Sequence, residues 1–345
     1  MIAVEEGYMN LNTLWFALIG VLWTGFFLLE GFDFGVGILL PFLGKDDTDR
    51  RVMINTIGPV WDGNEVWLIV AGGAMFAAFP NWYATMFSGF YLALFLILIA
   101  LIGRGISFEF RAKQDSDSWR RWWDRATFWG SLLPALLFGV AWGNILRGVP
   151  IDTQQEFAGT FFDLLNPYSL LAGLTSVALF TLHGAVFLTL KTADPLRVRA
   201  RRAAIRLALP TTALVFGFLA WTYWNAEQMD NKGLVPGFVP IAAIAAVAVV
   251  AWLLREELEG WAFLATALSI VLITATIFLN LYPRVMVSSI RPANDLTIWN
   301  ASSTGKTLGV MTIVALFFVP IVLGYQGWTY HVFRRRIRRE DIPGS

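Results

Sequence analysis

The stretch Leu28-Leu-Glu-Gly-Phe-Asp-Phe-Gly-Val-Gly-Ile-Leu-Leu-Pro-Phe42 sets two carboxylates, Glu30 and Asp33, inside a run that is otherwise apolar or glycine and that reaches back to Thr13 without another charge. A bilayer core about 30 Å thick is crossed by roughly 20 apolar residues at 1.5 Å each, so this run is long enough to span. Backbone amides find no water in lipid, which leaves only helices and closed barrels as spanning forms. Barrel strands read as segments of roughly 10 residues with alternating polarity, and nothing here alternates. The segment is expected to be a transmembrane helix with two acids inside it. Ionisable groups at that depth are expensive enough to be functional-site hypotheses by default.

Working outward, the same composition recurs along all 345 residues: 57% are hydrophobic and only 15% charged, with a mean hydropathy of +0.59, where soluble chains carry about 25% charged residues. Long apolar runs predict nine spans, near 13–42, 52–79, 82–103, 122–146, 165–190, 203–224, 235–254, 258–282 and 307–333. The fold class is an all-α integral membrane protein. Lys and Arg crowd onto alternate loops. One set holds Lys45, Arg50 and Arg51, then Arg104 to Arg125, Lys191 to Arg206, Arg255 and Arg334 to Arg339; the other holds only Arg147, Lys232, Arg284, Arg291 and Lys306. By the positive-inside bias the amino terminus lies outside and the carboxy terminus in the cytoplasm. The net charge of +1 averages over this asymmetry. The basic loops are expected to be topology signals and contacts for anionic lipid, not nucleic-acid sites. Trp119, Trp122, Trp123 and Trp299 are expected interfacial anchors. With no cysteine there is no disulfide, thiolate metal site or covalent c-type haem. The acidic start, Met1 to Asn10, does not look like a cleavable secretory signal, so the first helix is expected to stay.

Helices 1 and 5 share an orientation and a faint echo. Leu29-Glu30-Gly31 precedes Arg50-Arg51 much as Leu182-His183-Gly184 precedes Arg201-Arg202. This suggests a parallel repeat of two four-helix bundles, 11–146 and 165–282, with a ninth peripheral helix at 307–333.

A second acidic pair, Asp62 and Glu65, stands in Gly58-Pro-Val-Trp-Asp-Gly-Asn-Glu-Val-Trp67. Each pair is spaced i, i+3, which puts both carboxyls on one helix face. Asp33 lies 12 residues before Lys45 and Asp62 lies 11 after Arg51, each roughly 17 Å deep at 1.5 Å per residue. Glu30 and Glu65 continue the row at the next depth, so four acids are expected to form two rungs between helices 1 and 2. Gly31, Gly35 and Gly63 are expected to permit close approach, and Trp61, Asn64 and Trp67 to support the row. Four carboxyls so placed cannot all be charged, and a row that holds protons suits a proton path. The same acids could instead cap broken turns or bind a structural cation or a basic partner. Histidine offers little for haem: His331 lies among arginines at a helix end, and His183 is a single intramembrane His that more often packs than ligates, so no metal site and no catalytic residue is assigned to this chain.

The segments Glu30 to Phe42, Arg51-Val-Met-Ile-Asn55, Trp61-Asp-Gly-Asn-Glu-Val-Trp-Leu68, Ala71 to Phe79, Ser88-Gly-Phe-Tyr91 and Leu165 to Gly173 resemble subunit II of the cytochrome bd terminal quinol oxidases. The resemblance runs from about residue 12 to helix 9. It implies two four-helix bundles and one extra helix. It also implies membership of a prokaryotic cytoplasmic-membrane complex that oxidises quinol and reduces O₂ to water, taking up cytoplasmic protons without pumping. It implies b-type and d-type haems in a pseudo-symmetric partner, subunit I, and no haem in this chain, with membrane quinol, lipids, a bound quinone and a small accessory subunit as further partners. Asp62 matches a family acid on a proton path, with Trp61 beside it, and Asp33 matches a second; some relatives have Gln in place of Glu65. The loop near 225–237 is shorter than in some relatives. A secondary transporter with a midplane carboxylate site stays open as the alternative, since Gly31 to Gly37 also fits a broken helix.

Overall fold

The structure is a computed structural model that describes residues 10–228 and 237–342. Twelve helices follow one another in the described chain: α1 (Leu11–Leu43), α2 (Asp47–Ile57), α3 (Trp61–Ala78), α4 (Pro80–Gly89), α5 (Tyr91–Phe110), α6 (Asp117–Arg147), α7 (Pro167–Lys191), α8 (Leu196–Gln228), α9 (Val239–Ala248), α10 (Val250–Arg255), α11 (Glu259–Leu281) and α12 (Gly305–Val332). Seven of them, α1, α5, α6, α7, α8, α11 and α12, are long and apolar enough to cross a membrane. Three of the nine expected spans come in pieces, and one of them, the run 82–103, is divided at Phe90 between α4 and α5. The run 52–79 is divided at Gly58-Pro59-Val60, where Pro59 has no N–H to donate; the polar α2 ends there and α3 starts afresh at Trp61. The run 235–254 is likewise divided into α9 and α10. The short loop expected near 225–237 falls mostly outside the described residues.

The centre of the molecule is the crossing of α1 and α7. Every residue of α1 from Glu30 to Leu40 is buried, as is nearly every residue of α7 from Leu179 to Thr189. The reason is glycine. A Cβ at Gly35 would lie 2.0 Å from the Phe180 carbonyl oxygen and 2.8 Å from Gly184 Cα, so the two backbones touch where no side chain stands between them. Gly31 meets the Phe180 ring and Gly37 meets Ser131 of α6, while Gly63 has open space around it. The glycines expected to bring helices 1 and 2 together serve α6 and α7 instead. The helix is also unbroken through them.

α12 is the opposite case. Leu308 is its only buried residue, and Ile313, Leu316, Phe317, Phe318 and Ile321 are exposed along its length. At its first end, Trp15 Nε1 donates to the Leu308 carbonyl at 3.1 Å and Ser303 N donates to the Ala78 carbonyl at 2.8 Å. At its last end the tail folds back: Ile337 N donates to the Lys191 carbonyl at 2.8 Å and Ala193 N to the Ile337 carbonyl at 3.2 Å.

Candidate functional site

Arg104 lies on α5, which runs one and a half turns beyond it to Phe110, and the side chain is fully buried. Its guanidinium donates to Glu30 of α1, stands 3.7 Å from Glu65 Oε2 of α3, and sits over the rings of Phe34 and Phe108 at 5.0 and 5.4 Å. Asp33, one turn along α1 from Glu30, is also fully buried and accepts a 2.7 Å hydrogen bond from Asn64 Nδ2. One cation thus faces three acids. Glu30 Oε2, Asp33 Oδ1, Glu65 Oε2 and Arg104 Nε and Nη2 are buried without a hydrogen-bond partner among the described residues. Unpaired charge in such surroundings is costly, and one guanidinium cannot pair with all three carboxyls at once. The positive-inside count had placed Arg104 in a loop; it lies seven residues before Arg111, two turns of helix deeper, and that offset is the signal that could have marked it.

Three of the four expected acids come together, Glu30, Asp33 and Glu65. Asp62 does not join them. Because α3 begins only at Trp61, depth cannot be counted along one helix from Arg51, and Asp62 is turned outward in an exposed stripe with Val66, Ile69, Val70 and Phe76. It stays within one turn of Glu65 on the same helix. The α3 residue that reaches Asp33 is Asn64, expected only as support. Trp61 packs its ring against Phe108 of α5, with centroids 5.1 Å apart. Trp67 directs its indole N–H elsewhere: Nε1 donates to Gln326 Oε1 of α12 at 2.9 Å. Gln326 Nε2 in turn donates to Asn64 Oδ1 at 3.3 Å, and the Tyr330 hydroxyl donates to the same oxygen at 2.7 Å. Gln326 and Tyr330 were missed from the sequence, although a Gln inside the apolar run 307–333 was the visible sign.

His183 is fully buried on α7 and has both ring nitrogens occupied: Nδ1 bonds Thr266 Oγ1 at 2.7 Å, and Nε2 bonds the Leu28 carbonyl at 3.2 Å. Its ring stacks on Phe263 with centroids 4.7 Å apart. A haem iron would have to displace one of these bonds and a packed ring, so His183 does not fit a haem ligand. His331 is exposed beside Arg334. Among the described residues no group of three or more His, Asp or Glu side chains is arranged to hold a metal ion.

A second set of charges lines the basic end. Asp124 accepts from Arg111 at 2.6 Å and Arg50 at 2.8 Å. Glu259 accepts from Arg197 and Arg201 at 2.8 Å and Arg336 at 2.9 Å. Asp49 accepts from Arg199 and, at 2.7 Å, from Arg339. Several of the loop arginines expected to face lipid are therefore committed to acids of this chain.

Residues 11–333 match the sequence profile of the family described as cytochrome bd terminal oxidase subunit II. The chain is 44% identical over 334 residues to cytochrome bd ubiquinol oxidase subunit 2 of Bacillus subtilis (strain 168), covering 96% of this chain and 98% of that one. It is 41% identical over 368 residues to cytochrome bd-I ubiquinol oxidase subunit 2 of Escherichia coli (strain K12), covering 97% of each. In fold it is similar to a chain of the bd oxidase from Geobacillus thermodenitrificans, with a TM-score of 0.76 at 17% identity, covering 94% of this chain and 99% of that one.

Proposed function

The chain belongs to the cytochrome bd terminal oxidase subunit II family, and from that premise we propose that it carries protons from the cytoplasmic side through the Glu30, Asp33, Glu65 and Arg104 cluster to Asp62, and from there to a haem-bearing partner. It is a multi-pass cell-membrane protein and a subunit of a quinol oxidase, an oxidoreductase whose chemistry belongs to the complex. A transporter reading finds no support, since α1 is continuous through Gly31 to Gly37 and the relatives are oxidase subunits. The finer reading is a pseudo-symmetric heterodimer in which subunit I holds the b-type and d-type haems. In it this chain folds as two four-helix bundles with α12 beside them, its carboxy terminus in the cytoplasm.

The observation that carries the proton path is the imbalance of the buried cluster, three acids about one arginine with carboxyl oxygens left unpartnered. A group of this kind can gain or lose a proton without any side chain leaving its place. Asp62 supports the direction of delivery. A carboxylate in a lipid-facing stripe costs about 2.5–3.5 kcal/mol even on the mildest scale, so its exposed face on α3 suits contact with the partner subunit. Glu65, on the same helix one turn away, links it to the cluster.

The test is Asp62→Asn in the assembled complex, which keeps shape and hydrogen bonding but removes the titrating group. Haem content and partner retention should match the parent, while quinol-driven O₂ consumption falls severely. Loss of haem or of the partner would mark Asp62 as a structural residue, and full turnover would show that protons enter by another route.

A further inference from the structure

We infer that α12 is a positioning element of the acid cluster: Tyr330 and Gln326 fix the Asn64 amide against Asp33, and the tail after α12 straps the helix in place. The inference rests on the proton-path reading above for its effect on turnover, though not for its geometry.

The direction of each hydrogen bond follows from what each group can do. The Trp67 indole can only donate, so Gln326 must present its oxygen there and turn its NH₂ toward Asn64. Asn64 then receives two donors at its oxygen, from Gln326 and Tyr330, which obliges its own NH₂ to face α1. There it meets Asp33 Oδ2 at 2.7 Å and the Leu29 carbonyl at 3.4 Å. Asp33 Oδ2 is thereby held as an acceptor, and a proton carried by this carboxyl is confined to Oδ1, the oxygen with no partner among the described residues. The titratable groups near enough to act on Asp33 are Glu30 on its own helix, Glu65 on α3, Arg104 on α5 and Tyr330 on α12, while His183 of α7 is turned to Thr266 and the Leu28 carbonyl. Without the two α12 donors the Asn64 amide is free to rotate, and Oδ2 competes for the proton.

Helix α12 is almost bare of packing, so something else must keep Tyr330 and Gln326 seated. The tail does so. Arg336 Nη1 donates to the Thr189 and Thr192 carbonyls at 2.7 and 2.8 Å while its Nη2 holds Glu259 at 2.9 Å; Ile337 pairs with Thr192; Arg339 holds Asp49 at 2.7 Å and Asp46 at 2.8 Å. These bonds tie the end of α12 to α2, α7 and α11.

The experiment uses the complete complex. Tyr330→Phe and Gln326→Met are compared with the parent and with Tyr325→Phe, a change on the exposed face of the same helix. Three readouts are taken: haem content, the pH profile of quinol-driven O₂ consumption, and the infrared carbonyl stretch of protonated carboxyls. Haem content should be unchanged in all. The first two variants should shift the pH profile by about half a unit or more and move a carboxyl band, Tyr325→Phe should do neither, and Arg336→Gln with Arg339→Gln should reproduce the shift. Unchanged profiles and bands in Tyr330→Phe and Gln326→Met would overturn the positioning role. An unchanged double arginine variant would overturn the strap. If Asp33→Asn and Asp62→Asn keep full turnover while Tyr330→Phe still moves a carboxyl band, the proton path fails and the positioning role stands.

Discussion

Two sets of buried ion pairs among the described residues are built to opposite ratios. At the basic end three buried acids are each held by more than one cation: Asp49 and Asp124 take two arginines each and Glu259 takes three. Inside the helices the ratio inverts, with Glu30, Asp33 and Glu65 around Arg104 alone. An acid saturated by guanidinium groups has no use for a proton and serves as a joint between helices. An acid short of cations has to share, and its protonation state becomes the variable. The difference suits the first set to joining helices and is what the proposed proton path asks of the second.

The largest test of that contrast is Arg104→Gln. Removing the one cation of the inner cluster should cost about 3–5 kcal/mol, read as loss of assembled complex or a clear drop in its thermal midpoint. Normal assembly would mean that the acids carry no charge for Arg104 to offset. Next comes Glu30→Gln, which keeps a hydrogen-bonding group beside Arg104 while removing one titrating site; turnover should fall about a hundredfold with haem retained. At the basic end, Arg199→Gln leaves Asp49 its bond from Arg339, so the stability change should be about 1 kcal/mol or less, with turnover intact. A large loss of activity there would dissolve the distinction between the clusters. An effect of similar size belongs to Asp46, the N-cap of α2, whose carboxyl is held below its ordinary range first by the Asp49 N–H and then by Arg339. Asp46→Ala should cost about 1 kcal/mol. Since a depressed carboxyl contributes fully above its unfolded value, near 3.9, the gap in thermal midpoint between parent and variant should be constant above about pH 5 and close as the solution is acidified below that.

The reach of sequence reading follows the same division. Apolar runs set the helices because lipid imposes length and composition on each separately, and the intramembrane acids were visible because they violate that composition. What stayed hidden was pairing. Arg104 looked like one more member of a basic loop, since only the course of α5 past it shows that it points inward. Asp62 and Asn64 are two residues apart, and it is Asn64 that reaches Asp33 because the break at Gly58-Pro59 resets the rotation of α3. The contribution of α12 depends on Gln326 and Tyr330 meeting a residue more than 250 positions earlier, which no local pattern records.

The order of Glu30 and Arg104 along the chain has a consequence for biosynthesis. They are 74 residues apart, and at about 5–20 residues per second the ribosome takes about 4–15 s to travel between them. During that interval α1 has been made and its neutralising cation has not. A lone carboxylate is the dearer form in lipid, so the nascent helix enters the bilayer with its acids protonated or waits beside the translocation machinery until α5 follows. Either way, the buried ion pair between Glu30 and Arg104 can close only once α5 has been made, so the first hairpins of this chain settle in the bilayer after α5 and not one by one.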